Sequence, residues 1–458
     1  MRGCNLIYHH PYTPPIYDWD KKPYICRLAP NKNSFEFEWF DLVCSGDHTL
    51  TYWKKDANDK IRIPLNDFVV NINGLEENCE YEFYIESEKG VRSNTRIIRT
   101  CQVPEGATVI NYLHPKDKQY DFSGNFLCSP GIVRTNSGRL IASMDIYGEP
   151  QLLTLLFFSD DNGKSWRYLN DLYPFYWGTL FYYKEVLYII GLTTEYGNFI
   201  ISNSLDEGKT WSAPVTIFYG SNSQCKYGGF HRAPMPITIH NDRLYTSAEY
   251  GCWDMKSFIP CILSIHKDDD LMVPENWVRS EFLQFDGDWK KASNAGQGDT
   301  IEGNIVRFPD GNLYSCMRWK EGSYLKLKLN ESDFEKAPDF CGIINAPVTD
   351  SMFKIIPYKD KYLFVTNHKT PAMDQYENCS HRNRLSIFET TDIEHFKLIK
   401  DVVNFENEDP KKFGFQYPCI ILEGDELLMA VRSSFNNADT FHDTNYCLFF
   451  REKLPSSL

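Results

Sequence analysis

Two segments of the chain share the eight-residue pattern Ser-x-Asp-x-Gly-x-[Ser/Thr]-Trp. They occupy residues 159–166 and 204–211, and each follows an apolar run typical of a β-strand. In this pattern the Asp can accept hydrogen bonds from the amides of a tight turn, and the Gly permits a positive φ. The Trp can cover the resulting hairpin against a neighbouring strand. The two segments therefore predict a repeated β-hairpin and favour a β architecture over a helical one.

The rest of the chain extends this prediction. Short runs rich in β-branched and aromatic residues alternate with turn signals such as Pro309-Asp310-Gly311-Asn312, and long helical periodicity is nearly absent. Hydrophobic residues make up 42% of the 458 residues, which is enough to fill large buried cores. We predict an all-β protein: a β-propeller, with six blades, preceded by a small β-sandwich.

The first hundred residues form a candidate module of their own. Trp39 and Trp53 fall on early strands, and Leu75 precedes Tyr81 on a later one. This arrangement resembles a fibronectin type III domain, in which a Leu and a tyrosine-corner Tyr pack at one end of the sandwich. We therefore predict a fibronectin type III-like β-sandwich over residues 1–105 and the propeller over residues 106–458.

Charge and composition exclude several kinds of partner. The net charge is -14, and no run of five or more basic residues occurs, so we expect no nucleic-acid partner. No apolar stretch is long enough to span a membrane, and no signal peptide is visible. The expected location is cytoplasmic, or secreted or at the cell surface if the sequence starts at a mature end. The 14 cysteines show no zinc-ligand spacing, so we predict buried thiols, no metal site and no cofactor.

The two eight-residue segments resemble the Asp-box, or BNR repeat, of sialidases and related propellers. A degenerate third copy at residues 389–396 keeps the Asp and an aromatic residue. The resemblance implies a structural role for these segments at the outer edge of a blade. Four further segments are similar to a set of bacterial sialidase-like proteins, and they extend the resemblance over residues 107–451. These segments are His-x-Ala-Pro-x-Pro at 231–236, Glu-Gly-Asn at 302–304, Gly-Phe-Gln-Tyr at 414–417 and His-Asp-x-Asn at 442–445.

The resemblance also implies roles for individual residues. Sialidases hold the substrate carboxylate with three arginines and use a Tyr nucleophile that a Glu activates. By position, Tyr417 is the candidate nucleophile and Glu302 its base partner. Arg318 ends the hairpin that follows Glu302 and is a candidate substrate clamp. Arg384 is the candidate for the third arginine, with Arg382 as the alternative.

The sequence departs from the sialidase pattern at the first arginine. Cys128-Ser129-Pro130 stands where the family has Arg-Ile-Pro, which puts the carboxylate clamp in doubt. The acid/base Asp has no clear match; Asp145 is the best substitute and Glu149 the second. His231 is a further candidate for proton transfer. The remaining candidates for substrate binding are Arg232, Glu249, Gln416, His442 and Asn445.

Three functions remain open from the sequence. The first is an exo-acting glycoside hydrolase of sialidase-like type that cleaves a terminal sugar, acidic or neutral, from a glycan. The second is a polysaccharide lyase on a uronate-containing glycan, with His231, Tyr417 and Arg318 as its catalytic groups. The third is a glycan-binding propeller without catalysis. All three have a glycan or oligosaccharide as partner.

Overall fold

A computed structural model gives the architecture of the chain. It describes residues 21–121, 123–148, 152–220, 228–253, 257–283, 298–376 and 379–455. These residues form 33 β-strands and two short 3-10 helices, Pro274–Asn276 and Pro371–Gln375. In this described part, neither helix has the length or apolarity to cross a membrane. The predicted all-β class, with six propeller sheets and a small preceding sandwich, is confirmed.

The first seven strands form two sheets. One sheet has the order β1-β2-β5, and its strands are β1 (Tyr24–Pro30), β2 (Ser34–Phe40) and β5 (Val69–Asn73). The other has the order β4-β3-β6-β7, and its strands are β3 (His48–Lys54), β4 (Ile61–Leu65), β6 (Glu80–Ser87) and β7 (Arg96–Arg99). The alternating pattern of burial along β2 and β6 is that of strands with one face in a core.

Aromatic residues fill the space between these two sheets. Phe35 and Phe37 of β2 lie 5.1 and 5.2 Å from Phe83 of β6, measured between ring centroids. At the sandwich end, the backbone N–H of Glu76 donates to the hydroxyl of Tyr81 at 3.0 Å. These contacts explain why the alternating aromatic pattern of the sequence forms a sandwich. The fibronectin type III assignment and the domain boundary at 105/106 stay predictions.

Six further sheets follow, which we number as blades one to six. Blade one contains β9 (Phe126–Arg134), β10 (Leu140–Tyr147), β11 (Thr154–Ser159) and β12 (Arg167–Leu172). Blade two contains β13 (Tyr176–Tyr183), β14 (Val186–Leu192), β15 (Phe199–Ser204) and β16 (Val215–Phe218). Blade three contains β17 (Gly229–His231), β18 (Thr238–His240), β19 (Arg243–Cys252), β20 (Ser257–His266), β21 (Trp277–Arg279) and β22 (Gly298–Asp299).

The last three blades complete the ring. Blade four contains β23 (Ile301–Arg307), β24 (Leu313–Arg318), β25 (Ser323–Lys328) and β26 (Asp339–Asn345). Blade five contains β27 (Lys354–Tyr358), β28 (Lys361–Asn367), β29 (Arg384–Thr390) and β30 (Lys397–Asn404). Blade six contains β31 (Gly414–Glu423), β32 (Glu426–Ser434), β33 (Tyr446–Lys453) and, from before blade one, β8 (Ala107–Tyr112).

Strand β8 closes the propeller. It pairs antiparallel with β33, with Tyr112 opposite Tyr446 and Ala107 opposite Phe450. The first and last parts of the propeller thus share one sheet, and its backbone hydrogen bonds hold the ring together. The preceding sandwich contacts the same strand, because the buried Arg27 guanidinium donates to the carbonyls of Ile110 at 2.8 Å and Val109 at 3.0 Å.

The two eight-residue segments form the turns between the third and the outermost strand of blades one and two. The Asp161 carboxylate accepts hydrogen bonds from the Ser165 N–H at 2.9 Å and the Ser165 hydroxyl at 2.6 Å. Asp206 accepts the equivalent pair from Thr210, at 2.8 and 2.6 Å. In the degenerate third segment, Asp392 accepts from the amides of the turn, and Ile393 directly after it has a φ of 61°, as Asn162 (62°) and Glu207 (58°) have in the other two turns. The Asp thus organises its own turn, as the pattern predicts.

Gly163 in the first of these turns tests the packing between blades. Its φ is +84°, and a Cβ atom there would lie 2.1 Å from the Phe449 ring of blade six. Gly138 is a matched control, since its φ is +92° with no atom within 4 Å of an added Cβ. We expect Gly138→Ala to cost about 1–2 kcal/mol for the left-handed backbone. Gly163→Ala adds the overpacking cost, about 1–3 kcal/mol.

Urea unfolding of the two variants measures this difference. We expect the unfolding midpoint of Gly163→Ala to lie clearly below that of Gly138→Ala. Equal midpoints would show that the contact between Gly163 and Phe449 does not hold blade one against blade six.

Candidate active site

A cavity of about 280 Å³ opens at the centre of the propeller. Residues from blades one, two, three, four and six line it, and most of them are polar or aromatic. They are Cys128, Tyr147, Trp177, Glu195, His231, Arg232, Ala233, Trp253, Glu302, Tyr417, Arg432 and His442. Acidic, basic and cationic groups therefore share one small space with four large aromatic side chains.

Irregular inner strands direct several of these side chains into the cavity. In blades one, two, four and six the pairing of the first strand with the second shifts register. At each shift one residue other than Gly has a positive φ: Ser129 (46°), Trp177 (52°), Glu302 (64°) and Tyr417 (55°). Such bulges redirect a side chain, and each left-handed residue costs about 1–3 kcal/mol. The next residue is Pro or Gly in every case.

Blade three is interrupted more strongly. Strands β17 and β18 both pair with β19. The last residue of β17, His231, lies opposite Glu249, and the first residue of β18, Thr238, lies opposite Tyr245. The residues between His231 and Thr238 leave the sheet. This interruption places His231 and Arg232 at the cavity. The His-x-Ala-Pro-x-Pro segment is the sequence signal of this feature, because its two prolines cannot donate ladder hydrogen bonds.

Tyr417 and Glu302 meet across the cavity from blades six and four. The Tyr417 hydroxyl donates to Glu302 Oε1 at 2.5 Å. Arg318 Nη1 donates to Glu302 Oε2 and to the Tyr417 oxygen, at 3.0 Å each. The Tyr417 and Glu302 residues are buried, with exposed fractions of 8% and 2%. A phenol, a carboxylate and a guanidinium therefore form one hydrogen-bonded group, which we call the Tyr-Glu-Arg triad.

The charges of the triad set the protonation of its members. Burial and the charge of Glu302 raise the pKa of Tyr417 to about 12, so its hydroxyl is protonated near neutral pH. Burial alone would raise the pKa of Glu302, but Arg318 and the Tyr417 hydrogen bond outweigh it and hold that pKa below its ordinary value. Glu302 is therefore ionised and ready to accept the Tyr417 proton.

Two more arginines flank the Tyr417 ring. The guanidinium carbon of Arg382 lies 5.9 Å from the ring centroid and that of Arg432 lies 5.2 Å from it. Arg382 Nη1 donates to Gln416 Oε1 at 2.5 Å, and its Nε lies 3.7 Å from a carboxylate oxygen of Asp350. Arg432 donates to the carbonyl of His442 and to Thr444 Oγ1.

The charge of this arginine group is incompletely neutralised. Among the described residues, Arg432 has no carboxylate within ion-pair distance, and the buried Nε atoms of Arg318 and Arg382 have no hydrogen-bond acceptor. Three guanidinium groups thus face the two carboxylates of Glu302 and Asp350. Since buried charges are normally paired, the site favours an anionic ligand.

His231 and Glu249 form a second pair beside the triad. His231 Nδ1 lies 3.6 Å from Glu249 Oε2, which is too long for a hydrogen bond, and both atoms lack another partner within the described structure. Glu249 Oε1 accepts the backbone N–H of Glu302 at 2.5 Å. Burial raises the pKa of Glu249, although His231 opposes this shift. Glu249 therefore links the His231 side chain to the Glu302 backbone.

Asp145, the best match for an acid from the sequence, does not line the cavity. Its carboxylate is 1% exposed and accepts the Thr154 hydroxyl at 2.5 Å and the Trp177 N–H at 2.9 Å. Burial raises its pKa well above the ordinary range, despite these donors. Its contacts fix the bulge at Trp177. Glu149 lies outside the described residues.

The other candidates divide between the cavity and its surroundings. Arg384 lies away from the cavity, where it pairs with Asp401 and Glu406 at 2.9 Å each. Asn445 is fully buried and donates to the Phe435 carbonyl at 2.8 Å. Arg232 lines the cavity but is itself buried, with its donors directed at neutral oxygens; burial lowers its pKa to about 10.

Gln416 and His442 lie at the Arg382 and Arg432 side. Gln416 Nε2 donates to the Phe441 carbonyl, and its Oε1 holds Arg382. His442 lines the cavity, with its ring 5.2 Å from that of Tyr147. Burial and the charge of Arg432 lower the pKa of His442 to about 4, so this imidazole is neutral near pH 7.

Sequence reasoning assigned no role to Arg432, Glu195, Trp177 or Trp253, which also line the cavity. Trp177 stacks edge-on against His231, with 4.4 Å between ring centroids. Trp253 is 45% exposed at the rim, and its Nε1 donates to Glu195 at 3.1 Å. Trp177 precedes a Gly on the inner strand of its blade, and on three other inner strands the residue at the bulge likewise precedes a Pro or Gly. This shared position is the sequence signal that could have identified Trp177. For Arg432, the sequence indicated only that it lies towards the end of the β31–β32 hairpin, and no motif marked it as a site residue.

Comparisons with known proteins give propellers of low similarity. No protein-family model matches the sequence, and no curated protein matches it. The chain is similar to an alpha-L-arabinanase of Penicillium chrysogenum complexed with arabinobiose, at 12% identity and a TM-score of 0.48, covering 76% of this chain and 98% of that one. It is also similar to an alpha-L-arabinofuranosidase of Fusarium graminearum, at 11% identity and a TM-score of 0.45, covering 75% and 95% of the two chains. At these values the activity has to be argued from the cavity itself.

Replacement of Arg318 and replacement of Arg432 should lower the stability of the protein by different amounts. Arg318→Met deprives the buried Glu302 carboxylate of its cation, which typically costs about 3–5 kcal/mol. Arg432→Met removes a guanidinium with no carboxylate partner among the described residues, so we expect a cost of about 1 kcal/mol, from the lost hydrogen bonds. Thermal unfolding of both variants at neutral pH measures the difference. A larger loss of stability in Arg432→Met than in Arg318→Met would contradict this assignment of charges.

Proposed function

We propose that this chain is an exo-acting glycoside hydrolase of sialidase-like type that cleaves a terminal acidic sugar from a glycan. The observation that carries the proposal is the hydrogen bond from the Tyr417 hydroxyl to the Glu302 carboxylate, in a cavity that Arg232 and Arg432 line. A buried Tyr bonded to an ionised carboxylate is prepared to lose its proton, which is what a phenol requires to act as a nucleophile.

Tyr417 serves as the nucleophile in this proposal. Its oxygen attacks the anomeric carbon of the terminal sugar while its proton passes to Glu302 Oε1, and the bond from that carbon to the leaving oxygen breaks. Arg318 contacts both the phenolic oxygen and the carboxylate, so its charge stabilises the phenolate as it develops. Water then attacks the anomeric carbon and gives one proton to His231, which lost its own to the leaving oxygen. The glycosyl-tyrosine bond breaks, and the Tyr417 oxygen recovers its proton from Glu302.

His231 is the proposed proton donor to the leaving oxygen. It lines the same cavity as the triad, and the Glu249 carboxyl group lies 3.6 Å behind its Nδ1 atom. Asp145 is assigned a positioning role instead, because its carboxylate is occupied by Thr154 and Trp177 outside the cavity.

A carboxylate on the substrate fits the arginine group. Arg432 lines the cavity next to Cys128, and it supplies from blade six the guanidinium that the sequence lacks at Cys128. Arg382 replaces Arg384 as the third clamp, since Arg384 is held by Asp401 and Glu406. The cavity volume of about 280 Å³ suits a single terminal sugar, which supports exo action.

A panel of aryl glycosides with sialic, uronic and neutral sugars tests the activity. We expect release of the aryl group from an acidic glycoside, with a saturated sugar as product. An unsaturated product that absorbs in the near ultraviolet would instead identify a uronate lyase. Binding of acidic glycans without turnover of any substrate would identify a non-catalytic propeller, and either result would overturn the proposal.

Tyr417→Phe and Glu302→Gln test the assigned roles. Each removes one end of the proton transfer, so we expect kcat to fall by about 10³-fold or more while the acidic sugar still binds. Tyr314→Phe is the matched control, because its hydroxyl bonds Asp310 in a turn outside the cavity. Activity of Tyr417→Phe at the level of Tyr314→Phe would rule out Tyr417 as nucleophile.

The pH dependence of kcat/KM tests the ionisation of Glu302. The depressed pKa of Glu302 means that the carboxylate is present above that pKa and is lost as the pH falls through it. We therefore expect the acid limb of the profile to lie below pH of about 4.3, the ordinary value for Glu. An acid limb at pH 6 would show that Glu302 is not the accepting base.

A further inference from the structure

The loop between β2 and β3 of the sandwich and the first residue of β3 bring together metal-ligating side chains that are not part of the propeller cavity. The donor atoms of Asp41, Cys44 and His48 all lie within 4.8 Å of one another. The Asp41 and His48 side chains are 2% and 6% exposed, and Cys44 is 6% exposed. We propose that these three residues bind a divalent transition metal of the zinc class.

The geometry of the loop orients the Asp41 carboxylate. Its Oδ1 accepts the N–H groups of Val43 at 2.8 Å and Cys44 at 3.0 Å, which fixes the loop. Its Oδ2 is thereby left to face His48 Nε2, at 2.9 Å. Oriented carboxylates of this kind, with one oxygen held by neighbouring donors, are typical of metal ligands.

The distances are compatible with a bound ion. Bonds of about 2.0–2.3 Å in a tetrahedral zinc site place the ligand atoms roughly 3.3–3.8 Å apart. The present contact between Asp41 and His48 has to widen by only a few tenths of an ångström to admit the ion. The proton between these two atoms is displaced when the metal binds.

A fourth donor lies beside the three. Glu88 follows β6, and its Oε1 lies 3.9 Å from Cys44 Sγ. The Glu88 N–H donates to the Asp47 carbonyl at 2.8 Å, which holds Glu88 over the loop. The carboxyl group lies against Gly46, where a Cβ would be 2.1 Å from Oε1, so this approach requires a residue without a side chain.

Chemistry selects the class of metal. A thiolate and an imidazole favour zinc and related ions over calcium or magnesium, which prefer oxygen ligands. The charges of Asp41 and the Cys44 thiolate neutralise a divalent ion, and the fourth position is left to Glu88 or to water. A cavity of about 280 Å³, bordered by Asp41, Cys44 and His48, gives that position access from outside.

Cobalt substitution of the full chain tests the site. The chain is stripped with a chelator, kept reduced with a phosphine and titrated with Co²⁺ and then Zn²⁺. We expect one Co²⁺ per chain at this loop, with a thiolate-to-metal charge-transfer band that Zn²⁺ abolishes. Cys44→Ser should remove the band, and His48→Gln should weaken binding by more than about tenfold.

Control variants separate this loop from other thiols. Cys341→Ser changes an exposed thiol elsewhere and should leave the band intact. Glu88→Gln should weaken binding if Glu88 is the fourth ligand, and it serves as a second variant if Cys44→Ser unfolds. Absence of the band in the unmodified chain, or its persistence in both Cys44→Ser and His48→Gln, would overturn the proposal. Neither outcome depends on glycosidase activity.

Discussion

Closure of the ring by β8 is the constraint on which the candidate site depends. The side chains that meet at the cavity come from blades one, two, three, four and six, so no single blade could assemble them. Tyr417 and Glu302 lie 115 residues apart in sequence, yet their oxygens are 2.5 Å apart. The pairing of β8 with β33 holds blade six, with Tyr417 and Arg432, in register with blade one. Contacts of this range are costly to form during folding and have to be held by the whole fold.

The inner strands of the blades are irregular, and this irregularity turns particular side chains into the cavity. A regular strand would alternate its side chains between the two faces of the blade. The bulges at Trp177, Glu302 and Tyr417 instead direct them into the cavity, with a left-handed backbone at each. Strain of this kind persists only when the surrounding structure over-determines it, and it is concentrated at functional sites. The fully buried cores on either side of each blade stabilise the fold enough to hold these residues.

The sequence was informative where the signal is local. Asp161 and Asp206 form the turns that their pattern predicts, because a carboxylate, its turn amides and a Gly lie within eight residues. The segments that contain Glu302, Tyr417 and His231 all reach the cavity, because each begins at an inner strand of a blade. These parts of the fold and of the candidate site depend on the order of the strands, and the order of the strands can be predicted from the sequence pattern.

The site residues that the sequence did not predict depend on the direction in which single side chains point. Arg384 and Arg382 are two residues apart, but only Arg382 faces Tyr417, since Asp401 on the adjacent strand holds Arg384. Asp145 lies on β10 of blade one, as the sequence predicts, yet its carboxylate oxygens accept hydrogen bonds from Thr154 and Trp177 and do not reach the cavity. Arg432 was missed for a related reason, because Tyr417 and the other residues around it come from elements whose separation along the chain no motif fixes. Asp41, Cys44 and His48 lie within eight residues, but they match no familiar zinc-ligand spacing. The spacing of residues along the chain does not determine the direction in which each side chain leaves its strand.

The central claim is that Tyr417 forms a covalent bond to the substrate sugar. Incubation with an acidic glycosyl fluoride that carries a second fluorine next to the anomeric carbon should slow the breakdown of such an intermediate and allow it to accumulate. Intact-protein and peptide mass spectrometry would then locate the label. The account predicts one sugar per chain, attached to Tyr417 and absent from Tyr417→Phe. Turnover of the reagent with a label on another residue, or with no label at all, would contradict it.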